Sequence, residues 1–214
     1  RVDSARPSGH ARAMTAKPVH VVGFSGSLRK QSFNTALLRA ATELLPPGVS
    51  LEIADLAAVP LYDADLMLPG VDGGPARYPE AVARFRAACA RADALLIVSP
   101  EYNFSMPAVT KNAIDWASRA PNVLDDKAVA ITGASPGGFG TIRGQMAIRH
   151  TCVFTNMHAI NKPELFVAKA GDKFDAELRL VDEGTRATLG KLLASLASFA
   201  RRLRGDAPTE IAGA

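Results

Sequence analysis

Apolar runs alternate with amphipathic segments along the chain. Four short apolar runs, several rich in β-branched residues, predict strands at 19–24, 51–55, 94–99 and 127–132. A fifth strand is expected within 157–167, where Pro163 interrupts it. Apolar residues at helical spacing predict five helices, at about 34–45, 79–92, 108–118, 141–154 and 182–203. Strands that alternate with helices in this way form a parallel sheet with helices on both faces, so the pattern predicts an α/β fold.

Polar or glycine-rich loops follow three of the predicted strands. They cover residues 26–34, 100–107 and 133–140. Because the carboxyl ends of parallel strands meet at one edge of a sheet, we expect these loops to converge where such folds bind ligands. The connection at 56–78 is also long and rich in proline and glycine, and loops of that length are uncommon unless they have a function.

The first loop, residues 26–34, has the composition of an anion-binding turn. Ser27, Ser32 and Asn34 offer hydroxyl and amide donors, and Arg29 adds a planar cation suited to phosphate. The following helix directs unpaired backbone amides and the positive end of its dipole at the same place. The glycine patterns of dinucleotide-binding turns and P-loops do not occur, which favours a single terminal monophosphate such as that of FMN. The alternative is an ordinary turn in which Ser32 or Asn34 caps the helix.

The other two loops suit a planar ligand. The second, from Pro100 to Pro107, combines backbone amides with the rings of Tyr102 and Phe104. The third, residues 133–140, contains glycines that allow the backbone to approach a ligand closely, with Ser135 and Phe139 as candidate contacts. The alternatives are a tight turn between two prolines with ordinarily packed rings, and a simple flexible connection.

A chain of 214 residues with 48% apolar residues can form one domain with a substantial core. We expect a single domain at 18–204, preceded at 1–17 by a disordered tail or an artificial leader and followed at 205–214 by a C-terminal tail. No apolar run reaches the roughly 18 residues of a membrane span, and the polar start of the chain lacks the apolar region of a signal peptide. We therefore expect a cytoplasmic protein without membrane contact.

The net charge of +4 forms no basic stripe, so nucleic-acid binding is not predicted, although a mild positive field favours anionic cofactors and substrates. Cys89 and Cys152 are expected to be reduced, buried apolar residues. The four histidines lack the spacing of metal ligands, and no metal site is predicted. The polar face of the second helix is expected to be solvated, including Arg84, Arg86 and Arg91.

Together these segments resemble the NADPH-dependent FMN reductases, in particular their bacterial quinone and chromate reductase branch. Four stretches carry the resemblance: GSLRKQSFN at 26–34, SPEYNFSMP at 99–107, KNAIDWASR at 111–119 and SPGGFG at 135–140. They match in order and spacing across residues 18–203. The resemblance implies a flavodoxin-like, doubly wound sheet of five parallel strands in the order 2-1-3-4-5. It also implies bound FMN, a homodimer or homotetramer, and reduction of quinones, chromate, azo compounds or free flavin by NADPH or NADH.

By position, the resemblance assigns twelve residues to the flavin. They are Ser27, Arg29, Ser32, Phe33 and Asn34 for the phosphate, Pro100, Glu101, Tyr102, Asn103 and Phe104 for the ribityl chain and ring, and Ser135 and Gly138 for the ring. Arg143 and Glu164 match positions that carry polar contacts between subunits in some members. Phe104 and Met146 stand where tyrosines often accompany those contacts, and Gln31 stands where many members have glycine.

No side chain is expected to act as a catalytic acid or base, because the cofactor carries the chemistry. The expected function is therefore that of an FMN-dependent NAD(P)H oxidoreductase with a small-molecule electron acceptor. One alternative is an electron carrier of flavodoxin type, but its acidic docking surface is not indicated by a positive net charge. The other is a binding or regulatory module, which would have lost the phosphate-loop residues that are present here.

Overall fold

A computed structural model describes residues 17–70, 74 and 76–206 of the chain. The tails predicted at 1–17 and 205–214 lie almost wholly outside these residues, so they stay predictions. Within the described residues, no helix has both the length and the apolar character needed to cross a membrane.

Across the described ranges, the sheet contains six parallel strands. They are β1 (Val19–Ser25), β2 (Val49–Ala54), β3 (Ala94–Val98), β4 (Ala128–Ala134), β5 (His158–Ala159) and β6 (Phe166–Val167). Their order is β2-β1-β3-β4, with β5 paired to the start of β4 and β6 to its end. The last two strands are therefore two pieces of one outer strand, separated by a segment containing Pro163. This confirms the predicted order 2-1-3-4-5 and the expected interruption of the fifth strand.

In the part of the chain that the structure describes, five α-helices cover both faces of this sheet. They are α1 (Phe33–Glu43), α2 (Glu80–Arg91), α3 (Ala108–Ala117), α4 (Ile142–Thr155) and α5 (Glu183–Leu203). Helices α1 and α5 pack with one face, while α2, α3 and α4 pack with the other. Alternate residues of β3 serve the two cores, with Leu96 on the first side and Leu95 on the second. The doubly wound, flavodoxin-like fold predicted from the sequence is confirmed.

The prediction that Arg86 on α2 lies on a solvated face is wrong. It is 5% exposed, and its guanidinium donates to four carbonyls around the end of α3, those of Trp116 (2.7 Å), Ala117 (3.1 Å), Arg119 (3.1 Å) and Pro121 (2.9 Å). The last carbonyls of a helix have no partner within the helix, so a cation from a neighbouring helix can satisfy them. Burial lowers the pKa of Arg86 from its ordinary value.

Candidate active site

The three unusual loops follow β1, β3 and β4, which are neighbours in the sheet, and they contact one another at its carboxyl edge. Gly26 in the first loop packs against the second loop. A Cβ at this position would lie 2.8 Å from Ser99 Oγ and would also collide with the Thr110 hydroxyl. These two hydroxyls are hydrogen-bonded to each other at 2.8 Å beneath the glycine. Only glycine therefore allows the first loop to approach this closely.

The first loop presents unused hydrogen-bond donors at the start of α1. Ser32 caps the helix, since its Oγ accepts from the backbone amides of Asn34 (3.2 Å) and Thr35 (3.3 Å). The amides of residues 30–33 donate to no acceptor within the described part of the chain. Ser32 thus acts as the cap that the alternative interpretation proposed, yet the turn keeps free amides and a helix dipole that can bind an anion.

Arg29 and Ser27 complete the first loop. The Arg29 side chain is exposed, and it forms no ion pair with any residue that the structure describes. Ser27 is nearly buried, and its Oγ accepts weakly from the Arg29 amide at 3.4 Å. A free guanidinium beside free amides fits a terminal phosphate.

The side chain of Asn34 does more than a residue that only binds phosphate would do, because it also joins two loops. Its buried side chain donates to the carbonyl of Ala134 at 2.9 Å and accepts from the amide of the same residue at 2.8 Å. These bonds join the first loop to the third across 100 residues of sequence. One proton of the Asn34 amide remains for a ligand. Phe33, next to it, packs its ring on Phe174 with centroids 5.3 Å apart, so its backbone amide is the group left for a ligand.

The second loop contains a tight turn that exposes two aromatic rings. Tyr102 and Ser105 exchange both backbone hydrogen bonds at 3.0 Å, and the residues between them, Asn103 and Phe104, have φ values of 50° and 66°. Positive φ at both central residues is the pattern of a type I′ turn, and it is strained for a bulky residue such as phenylalanine. Tyr102 is 48% exposed and Phe104 is 73% exposed. Strained backbone of this kind is often found at functional sites.

Glu101 fastens the second loop to α4. Its side chain is 8% exposed, and one oxygen accepts from the amides of Arg143 (2.8 Å) and Gly144 (3.1 Å) in the first turn of the helix. The other oxygen lies 2.5 Å from Arg143 Nε. The Arg143 guanidinium in turn lies 3.9 Å from the centre of the Phe104 ring and 5.2 Å from that of Phe139. Because the Glu101 side chain faces α4, its backbone is the part left to border a ligand; Pro100 before it is buried.

The third loop is held at its start and open at its middle. Ser135 donates its amide to Val167 O at 2.9 Å, and its Oγ accepts from the amide of Gly137 at 3.0 Å. A Cβ on Gly138 would meet nothing within 4 Å, so this residue borders open space. The Phe139 ring is 72% exposed. Together with Tyr102 and Phe104 it forms the aromatic shelf, an open surface beside the anion-binding turn.

The KNAIDW segment has a function that the sequence interpretation missed. On α3, the side chains of Asn112 and Trp116 both donate to the carbonyl of Pro60 at 2.8 Å. Asn112 also accepts from the Tyr62 amide at 2.7 Å. They therefore hold the part of the long connection around Pro60 and Tyr62 against α3. Their i, i+4 spacing places them on one helix face, and this spacing was the signal available in the sequence.

The arrangement at this edge fits FMN. Free amides and a cation at the start of α1 can bind its phosphate, and exposed rings and backbone amides beside them can border a planar heterocycle. None of the described residues at the edge combines into a nucleophile–base pair. The site can therefore bind and orient a redox cofactor, and the cofactor would supply the chemistry.

Comparisons with known proteins agree with this site. The sequence profile of the NADPH-dependent FMN reductase family matches residues 19–172. An NAD(P)H-dependent FMN reductase from Pseudomonas aeruginosa is 47% identical over 188 residues, which cover 87% of this chain and 98% of that protein. An NADPH:quinone oxidoreductase from Arabidopsis thaliana is 48% identical over 200 residues, which cover 90% and 98%.

A solved structure supports the same assignment. The flavoenzyme NAD(P)H:(acceptor) oxidoreductase FerB from Paracoccus denitrificans superposes with a TM-score of 0.74 at 28% identity, covering 86% of this chain and 98% of that one. The profile match spans the three loops and the strands that carry them. The fold, the loops and the relatives thus lead to one conclusion, that this chain belongs to the NADPH-dependent FMN reductase family.

Proposed function

We propose that this protein is an FMN-dependent NAD(P)H oxidoreductase whose acceptors are quinones or similar small molecules. Membership of the family confirms FMN as the cofactor and NAD(P)H as the electron donor. The observation that carries the proposal is the open surface at the aromatic shelf beside the anion-binding turn, which leaves room for donor and acceptor to reach a bound flavin in turn. The Arabidopsis relative carries the name of a quinone reductase, which supports the acceptor class.

The residues of this chain bind, orient and polarise, while bound FMN supplies the redox chemistry by accepting hydride from NAD(P)H and passing electrons to the acceptor. Arg29 and the amides of residues 30–33 would hold the phosphate. Asn34 fixes the third loop relative to the first, and Glu101 fixes the second loop to α4. Free backbone amides of the second and third loops would stabilise negative charge on the bound cofactor.

The open shelf also favours a broad range of acceptors. A surface of exposed rings imposes little shape selection, since specificity arises from closely placed polar groups and enclosed pockets. Chromate, azo compounds and free flavin therefore join the quinones as proposed acceptors. We also propose that the protein acts in the cytoplasm.

We propose further that the protein forms a homodimer or homotetramer. Helix α4 exposes a row of apolar side chains, Ile142, Met146, Val153 and Phe154, and the last two are 82% and 90% exposed. Exposed apolar side chains grouped along one helix favour a contact site. The row begins next to Arg143 and the aromatic shelf, so a second copy of the chain seated on α4 would lie close to the site.

The test is the visible spectrum of the purified protein before and after NADPH is added without air. Bound flavin whose bands bleach within seconds is the expected result. Flavin bands that persist would instead indicate an electron carrier that does not oxidise NAD(P)H itself. A protein without flavin that also takes up no added FMN would refute the assignment of all three loops.

A further inference from the structure

A cation lies within the aromatic shelf. Arg143, in the first turn of α4, places its guanidinium 3.9 Å from the centre of the Phe104 ring and 5.2 Å from that of Phe139. Resting on the proposed function, we propose that Arg143 binds the anionic oxygen of acidic hydroxyquinones and so selects them as electron acceptors over neutral quinones. A 2-hydroxy-1,4-quinone is a vinylogous acid that is ionised at neutral pH, whereas a quinone without the hydroxyl group is uncharged.

The first argument is that the guanidinium is held in place before any ligand arrives. Its Nε is buried and lies 2.5 Å from a Glu101 oxygen, and the rings of Phe104 and Phe139 flank the group. Glu101 is itself fixed, because its other oxygen accepts from the amides of Arg143 and Gly144. A side chain that is already oriented loses little conformational entropy on binding, so more of the contact energy appears as affinity.

The second argument is the set of donors that Arg143 offers. Within the described residues, its terminal nitrogens Nη1 and Nη2 donate to no acceptor, and the side chain is 36% exposed although Nε is buried. Four N–H groups in a planar fork therefore remain for a ligand. A 2-hydroxy-1,4-quinone presents a carbonyl and an enolate oxygen on adjacent ring carbons, which a guanidinium can bind with two parallel bonds. In a quinone without the hydroxyl group the two oxygens lie at opposite ends of the ring, so the fork can reach only one of them.

The third argument is charge. Glu101 is the one carboxylate that Arg143 contacts among the residues that the structure describes. The negative charge of Glu101 is also balanced by the first amides and the positive dipole end of α4. The carboxylate is 8% exposed, so the guanidinium is the charged group of this pair that reaches the surface. An anion at the shelf therefore meets an excess of positive charge.

The experiment measures how fast each acceptor reoxidises the FMN-loaded enzyme after NADPH has reduced it without air. Stopped-flow absorbance compares 2-hydroxy-1,4-naphthoquinone with 2-methyl-1,4-naphthoquinone, which has a similar size but no charge. The ratio of the two second-order rate constants should fall about tenfold in Arg143→Gln, because a charge-assisted contact is lost. Comparing ratios removes the difference in redox potential between the two quinones. Arg143→Lys should recover part of the ratio, since it keeps the charge without the planar fork.

Arg202→Gln is the matched control. Arg202 also lies over an aromatic ring, 5.0 Å from the centre of Phe199, but it belongs to the last turn of α5. That end of the helix lies at the opposite edge of the sheet, where Arg204 donates to the carbonyl of Pro18 just before β1. The ratio for Arg202→Gln should equal that of the wild type. If Arg143→Gln slowed both acceptors by the same factor, the proposal would be overturned, because a general disturbance of the loops affects both quinones alike.

Binding without turnover provides a second readout. Calorimetric titration of the oxidised, FMN-loaded enzyme with 2-hydroxy-1,4-naphthoquinone should show about tenfold weaker binding in Arg143→Gln than in the wild type or in Arg202→Gln. The diphosphate of NADPH is another source of anionic oxygen, so the reduction of the flavin by NADPH is timed separately. A slower reduction with an unchanged acceptor ratio would assign Arg143 to the donor and overturn the proposal. Failure of the proposed function would look different, because NADPH would then reduce the flavin in none of the enzymes.

Discussion

A single amide side chain, that of Asn34, joins two loops that a cofactor must contact together. Because its two bonds with Ala134 are buried, both backbone groups of Ala134 depend on this one partner. A buried donor or acceptor that loses its partner costs about 1–3 kcal/mol. Asn34 is therefore a positioning residue for the site as well as a candidate phosphate ligand.

The change Asn34→Leu should lower the free energy of unfolding by roughly 2 kcal/mol or more, since it leaves the Ala134 amide and carbonyl without partners. Urea unfolding of the apoprotein measures this, and FMN titration should show weaker binding because the third loop is released. Thr42→Ala, which removes an exposed hydroxyl from the same helix, is the control. An unfolding midpoint for Asn34→Leu equal to that of the control would contradict the assigned role.

The change Arg29→Ala should weaken FMN binding about tenfold or more, because a charge-assisted contact with the phosphate is lost. Stability should not change, since the side chain is exposed and makes no ion pair with described residues. Fluorescence titration of the apoprotein with FMN gives the affinity. Lys191→Ala, which removes an equal charge from an exposed position on α5, serves as the control. Unchanged affinity would count against the phosphate site at this turn.

At the scale of elements, local patterns in the sequence were sufficient for the strands, the helices and the convergence of the loops. Apolar periodicity is a local property, and parallel strands necessarily end at one edge. The contacts of Arg86, Glu101 and Asn34 could not be predicted, because each joins segments 30 to 100 residues apart. A polar residue on a helix face gives no sign of whether it will meet water or the carbonyls of a neighbouring helix.

A single element, the start of α5, makes the stability of the protein depend on pH. Asp182 caps the helix, and its hydrogen bonds with Lys173 (2.7 Å) and Thr185 (2.6 Å and 2.9 Å) lower the pKa of Asp182 to about 2. In the unfolded chain an aspartate titrates near 3.9. The folded state thus gains stability from this carboxylate above about pH 4, and the gain disappears as pH falls toward 2.

The expected result is that Asp182→Asn melts at a lower temperature than the wild type at pH 6 and at the same temperature near pH 2. Thermal unfolding followed by circular dichroism across this range measures the difference. Because the carboxylate is partly exposed, added salt should reduce the effect. A difference between the two proteins that is constant from pH 6 to pH 2 would exclude this titration as the cause.

At the scale of the whole molecule, the apolar row on α4 is exposed in a single copy of the chain. A groove of about 410 Å³ between α3 and α4 adjoins it and is lined in part by Ile114 and Phe154. The same face thus offers a protruding ring and a recess, as a two-fold interface requires.

If the proposed homo-oligomer forms through α4, Phe154→Arg should shift it toward monomers, because a charge replaces the exposed ring of the row. Sedimentation velocity measures the shift over a range of concentrations. Leu61→Arg places the same charge at a 75% exposed leucine away from α4 and should leave the assembly intact. Equal behaviour of the two variants would remove α4 from the interface.

The bonds of Asn34 and Glu101 have a kinetic consequence. Since folding itself ties the first loop to the third and the second to α4, the apoprotein should already hold the loops in a binding geometry. Association with FMN in stopped-flow fluorescence should then show one phase whose rate rises linearly with FMN concentration. A rate that becomes constant at high FMN concentration would instead reveal a slow rearrangement of the loops. With a preformed site, the lifetime of the holoenzyme is set by the rate at which FMN dissociates. Dilution alone can therefore remove FMN while the protein stays folded.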